Sequence, residues 1–127
     1  MSHFTHIETR FQNLFYLEKV NGIWTKPKKL DQNINSSYWD SQPFIYKDKL
    51  FFVSNRPGGK GGRDIYYSKI NNDGSFTNAV NFDIVNTSYE EVSPSYFEDI
   101  FYFSSNMNFI KLSILNRPFI VLIANRY

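Results

Sequence analysis

Apolar residues in this chain come in short runs separated by turn signals, with no helical period. Gln42 to Tyr46 and Leu50 to Ser54 are β-prone runs split by Lys47-Asp48-Lys49, which predicts a tight hairpin. The glycine cluster Pro57-Gly58-Gly59-Lys60-Gly61-Gly62 predicts a loop, and Asp64 to Ile70 the next strand. Asn71-Asn72-Asp73-Gly74 turns the chain into a fourth strand, Phe76 to Phe82. Upstream, Asn13 to Val20 and Trp24 to Leu30 read as two strands, and the first residues as a frayed tail. Leu50-Phe51-Phe52-Val53 and Ile100-Phe101-Tyr102-Phe103 are apolar at every position. A sheet with one wet face would alternate, so both faces are expected to be dry. No stretch combines helical period with caps.

The pattern repeats. Asn35 and Asn86, Tyr38 and Tyr89, and Pro43 and Pro94 are each 51 residues apart. The same offset pairs Phe51-Phe52-Val53-Ser54-Asn55 with Tyr102-Phe103-Ser104-Ser105-Asn106, and Leu14-Phe15-Tyr16 with Ile65-Tyr66-Tyr67. A unit of this length falls in the range of propeller blades. The expected fold is all-β, a partial β-propeller of four-stranded antiparallel blades, about two and a half of them. Residues 1–127 then form a single propeller segment. A half blade spans 13–31 and a full blade 41–83. A degenerate blade and irregular tail span 92–127, with Phe109 to Ile114 and Phe119 to Ala124 as substitute strands.

The segment Ser54-Asn55-Arg56-Pro57-Gly58-Gly59-Lys60-Gly61-Gly62-Arg63-Asp64-Ile65-Tyr66-Tyr67 resembles the signature of WD40-like propeller repeats of the TolB type. Asp40 and Pro43 upstream also fit, as do Glu90, Glu91, Pro94, Ser105 and Asn106 in the second copy. Such repeats occur in bacterial periplasmic and outer-membrane-associated proteins. The resemblance therefore implies a non-catalytic scaffold of the cell envelope, with a protein or cell-wall partner. The family's export signal has no counterpart in the first ten residues, which lack an apolar run. The degenerate end suggests a fragment of a larger protein, and uncovered blade faces suggest self-association that completes a ring.

The signature residues are expected to be structural. Gly58, Gly59, Gly61 and Gly62 are read as positions of positive φ, so Gly61→Val should disturb the loop. Asp64 is read as a cap for it, and Ser54 and Asn55 as partners for backbone groups at a strand end.

Composition changes the picture in one respect: aromatic residues reach 19%, with 13 Phe and 9 Tyr, which favours packed sheets. A formal charge of +2, with lysines at 26, 28 and 29 and a basic group Arg56, Lys60 and Arg63 among acids, argues against nucleic acid. The absence of cysteine excludes thiolate metal sites and thiol nucleophiles. The apolar run Phe119 to Ala124 is too short for a membrane span.

No catalytic, cofactor or metal site is expected. Gly59-Lys60 is followed by Gly61 and a strand, not by the Ser or Thr and helix that a phosphate loop needs. The two histidines, His3 and His6, are expected in the loose tail. The alternative is the propeller of a hydrolase, glycosidase-like or peptidase-associated. Asn72-Asp73-Gly74-Ser75-Phe76 is similar to the Asp-box turn of sialidases, though with the wrong spacing. Glu90 and Glu91, as strand neighbours, should point to opposite faces and so not form an acid/base pair.

Overall fold

The computed structural model describes residues 4–106, 113–114 and 120–125, the backbone alone at 4–5 and beyond 106. Every regular element among them is a strand: β1 (Phe4–Arg10), β2 (Asn13–Val20), β3 (Ile23–Trp24), β4 (Lys28–Lys29), β5 (Asp40–Tyr46), β6 (Lys49–Ser54), β7 (Asp64–Lys69), β8 (Val80–Asn81), β9 (Glu91–Phe97), β10 (Ile100–Ser105), β11 (Ser113–Ile114) and β12 (Ile120–Asn125). The protein is all-β.

Three sheets form. The first is β1-β2-β3 with β4 also on β2, the second is the meander β5-β6-β7-β8, and the third runs β11-β12-β10-β9. All pairings are antiparallel except β10 with β12, which is parallel. The long connection between those two strands permits this, since only a hairpin forces antiparallel pairing.

The second sheet is dry on both sides. Leu50, Phe52 and Tyr66 pack against Ile7, Leu14, Leu30 and Ile34 from the first sheet and its exit segment. Phe51, Val53 and Ile65 turn the other way, onto Val85 and onto Phe101 and Phe103 of the third sheet. Alternation along one strand thus feeds two cores at once. The apolar run at β6 exists because it has no solvent-facing side.

Several sequence expectations need correction. The N-terminal segment is not frayed: β1 pairs with β2 along its whole length, Phe4 opposite Lys19 through Arg10 opposite Asn13. Its threonines, Ile7 and the following two-residue turn make a good hairpin partner. The expected strand Trp24–Leu30 breaks into β3 and β4 around Pro27, which has no N–H to give a ladder. The expected strand Phe76–Phe82 is likewise reduced to a bridge at Phe76 and the short β8. In β10 only Phe101, Phe103 and Ser105 are buried, whereas Ile100, Tyr102 and Ser104 are half-buried. That run is dry on one face, not two. Of the substitute strands, residues 109–112 and 119 lie outside the described residues.

Candidate interaction site: the repeated inter-sheet clasp

The signature residues assemble where the polypeptide leaves one sheet and enters the next. Asn35 stands in the lead-in to β5, yet it fastens the previous sheet. Its Oδ1 accepts the Leu14 N–H at 2.8 Å, and its Nδ2 donates to the carbonyls of Leu14 (3.0 Å) and Leu30 (2.7 Å). Asn86 does the same one repeat later, accepting from Ile65 N at 2.8 Å and donating to its carbonyl at 2.8 Å. A short planar amide carries a donor and an acceptor side by side, matching the N–H and the carbonyl of one residue. Both asparagines are buried, so each loss would leave backbone groups unpaired.

The carboxylate of the next strand holds the lead-in closed. Asp40 accepts from Ser36 N at 2.7 Å and from the Ser36 hydroxyl at 2.9 Å. Glu91 accepts from Thr87 N at 2.9 Å, from the Thr87 hydroxyl, and from the Ser105 hydroxyl at 3.0 Å. Asn55 and Asn106 complete each turn, Oδ1 accepting from Trp39 N (2.8 Å) and Glu90 N (2.9 Å) respectively. The bulge that follows is also repeated. Gln42 and Ser93 take φ values of 54° and 58°, just ahead of Pro43 and Pro94, where the ladder shifts register. The prolines sit where no ladder N–H is required.

One partner is not repeated. Arg56 donates from Nη2 to Asp40 at 2.9 Å and to the Ile34 carbonyl at 2.5 Å, and from Nε to the Ser54 hydroxyl at 2.9 Å. Its guanidinium lies over the rings of Tyr66 (4.8 Å) and Phe52 (5.4 Å). The buried Asp40 therefore has a counter-charge that is itself anchored by hydrogen bonds to Ser54 and Ile34. Among the described residues no cation lies against Glu91, which is fully buried, and burial pushes its pKa up.

The glycine loop docks on the following clasp, and here the positive-φ expectation fails for three of its four glycines. Only Gly58 has positive φ, at 91°. A Cβ on Gly61 would run into the backbone carbonyl of Tyr89, one on Gly62 into the Glu90 carboxylate, and one on Gly59 into the Asp64 carboxylate. Gly61, which meets backbone, needs glycine for room, whereas at Gly59 and Gly62 a carboxylate end would have to shift. Asp64 accepts from Lys60 N at 2.6 Å and Gly61 N at 3.2 Å, which ties the loop down.

The chemistry of the cluster is that of a fastener. Glu90 pairs with Arg63 at 2.6 Å on the surface while Glu91 is buried, so the two acids share no cleft. Lys60 pairs with Asp83 at 3.0 Å, so each member of the Arg56, Lys60 and Arg63 group has an acid beside it. His6 lies in β1, with its ring 6.2 Å from Trp24, and His3 lies outside the described residues. Asn35 and Asn86, identical residues 51 apart in the sequence, are the pair whose shared role the fold makes explicit.

At the opposite end, the hairpin ends of the sheets flank two crevices at equivalent repeat positions. Between the second and third sheets, Tyr46 and Tyr96 stack at 4.2 Å beside Phe51, Tyr67 and Phe82, leaving about 260 Å³. Burial pushes the Tyr96 phenol up to about 12, so it stays neutral. Between the first and second sheets the crevice is about 930 Å³, and Ile45 stands where Tyr96 stands in the other.

No helix among the described residues is long and apolar enough to cross a membrane, and no group of three metal-ligating side chains occurs among them. No protein-family model matches the chain, and no solved structure matches it. A curated protein of Trieres chinensis, named uncharacterized protein ycf35, is 63% identical over 43 residues, covering 32% of this chain. The chain spans about a third of that relative's length, 34%.

Proposed function

We propose that this chain is a non-catalytic segment of a TolB/WD40-like β-propeller, part of a larger protein, and that it serves as a protein-interaction or cell-wall scaffold in the cell envelope. The observation that carries the reading is the second sheet, covered on both faces, with the same clasp of asparagine, hydroxyl and carboxylate at its entry and exit. Stacked sheets joined by a repeated fastener are how a quasi-periodic array buries faces that a single unit leaves wet. The neighbourly first strands β5 and β9, which touch each other and the flanking sheets, suit strands converging on a common axis.

Envelope location and partner rest on the sequence resemblance. Fractionation of the producing cell with an antibody to the chain is the direct test. Recovery with the envelope, together with sedimentation on purified peptidoglycan or a cross-link to an envelope protein, is expected. Recovery in the cytosolic fraction would overturn the location, and turnover of glycoside or peptide substrates above blank would overturn the non-catalytic reading.

A further inference from the structure

The smaller crevice, between the second and third sheets, is faced by aromatic rings. Tyr67 and Phe82 meet edge to face at 69°, and Tyr46 and Tyr96 lie parallel. Phe51 joins the two pairs, 6.0 Å from Tyr67 and 5.3 Å from Tyr96. Phe51 is buried and the other four rings are half-buried, so they pack a core and still line the opening. Aliphatic side chains would also fill such a seam. Rings add a quadrupole that attracts a cation lying over them.

A cation is already at the opening. The Lys47 ammonium lies 5.3 Å from the centre of the Tyr46 ring and 3.2 Å from the Asp99 carboxylate, which also accepts the Tyr46 hydroxyl. The hydrogen bonds from Tyr46 and Lys47 hold the Asp99 carboxyl below its ordinary range, so it is an anion at neutral pH. Lys47 and Asp99 sit at the tips of successive hairpins, at left-handed φ values of 55° and 65°. Residues other than glycine keep that conformation only where their surroundings fix it.

The Lys47 side chain is 66% exposed, and about 260 Å³ of the crevice stays unfilled. That is just under the roughly 300–1,000 Å³ of pockets that take drug-sized molecules, a size for one compact group. The other two charges of the lining, Asp48 and Lys49, neutralise each other at 3.4 Å. Asp99 is therefore the anion that an entering cation meets once Lys47 withdraws. A primary ammonium would bring three N–H donors to ring carbons that cannot accept them, whereas a nitrogen carrying only carbon substituents brings charge and no donor.

We propose that this crevice binds a small quaternary ammonium compound from solution, with its methyl groups against the rings and its charge beside Asp99, in competition with Lys47. The inference rests on the crevice alone and holds whether or not the chain belongs to an envelope protein.

The test titrates the whole chain with choline, and with the neutral alcohol in which carbon replaces the choline nitrogen, following the aromatic ring signals by NMR. Saturable shifts at Tyr46, Tyr67 and Tyr96 are expected with choline, and binding about tenfold weaker for the alcohol. Lys47→Asn, a residue that tolerates the left-handed turn, should tighten choline binding several-fold by removing the competitor. Asp99→Asn should weaken it several-fold. Equal affinity for choline and the alcohol would overturn the proposal, because it reduces the rings to an apolar surface. Absence of saturable shifts, or weaker binding by Lys47→Asn, would overturn it too. Binding to phosphatidylcholine vesicles without binding of free choline would also count against it, since that places recognition at a lipid surface.

Discussion

Asp40 and Glu91 occupy the same place in successive repeats, and they differ in what neutralises them. Asp40 faces Arg56, whose guanidinium lies over two neighbouring rings. Glu91 has the same turn, an equivalent hydroxyl donor and the same burial, and among the described residues its hydrogen-bond donors are two hydroxyls and an N–H. The hydrogen-bonded frame of the clasp therefore forms without the cation. What the arginine adds is a counter-charge, which among the described residues the second copy lacks.

The sharpest break in that comparison is at the layer both clasps serve. Phe52→Ala should cost about 3–5 kcal/mol by denaturant unfolding, because Phe52 is wholly buried between two sheets; Tyr102→Ala, at the half-buried equivalent of Phe51, should cost clearly less. Equal losses would mean that the two faces are not differently covered. Arg56→Met removes the cation from the first clasp and should cost roughly 3 kcal/mol, since it strands Asp40 in the interior. Gly61→Ala should cost about 2 kcal/mol, because backbone at Tyr89 cannot yield as a side chain would. Gly58→Ala meets nothing within 4 Å and should cost about 1 kcal/mol through φ alone. Reversal of the order of these two glycines in a thermal melt would return the loop to a conformational explanation.

The smallest effect is a slope. Glu91 holds its proton more tightly folded than unfolded, where its ordinary value is 4.5. Its protonated form is fully favoured below that value, and stability falls as pH rises through the raised one. Glu91→Gln should flatten this part of the stability–pH curve, and a slope that persists in the variant would assign it to another group.

Much of this was legible in the sequence. Runs such as Leu50-Phe51-Phe52-Val53 announced a sheet wet on neither side, and the recurrence of Asn35 as Asn86 announced a shared turn. β1 was not legible, because Phe4-Thr5-His6-Ile7-Glu8-Thr9-Arg10 is mostly polar and shows no clear two-residue alternation. The reason for Gly61 was also hidden, since it lies in the approach of a carbonyl from the next repeat. Glu90 and Glu91 were expected on opposite faces, and the fold adds that Glu91 is the one inside.

The asparagine clamps also set a timetable for the growing polypeptide. Leu14 and Ile65 each wait for an amide 21 residues further along. At ordinary rates of synthesis that is a delay of about 1–4 seconds. A sheet emerging from the ribosome thus spends that interval with a peptide group unclaimed, and is locked only when its successor has begun to appear.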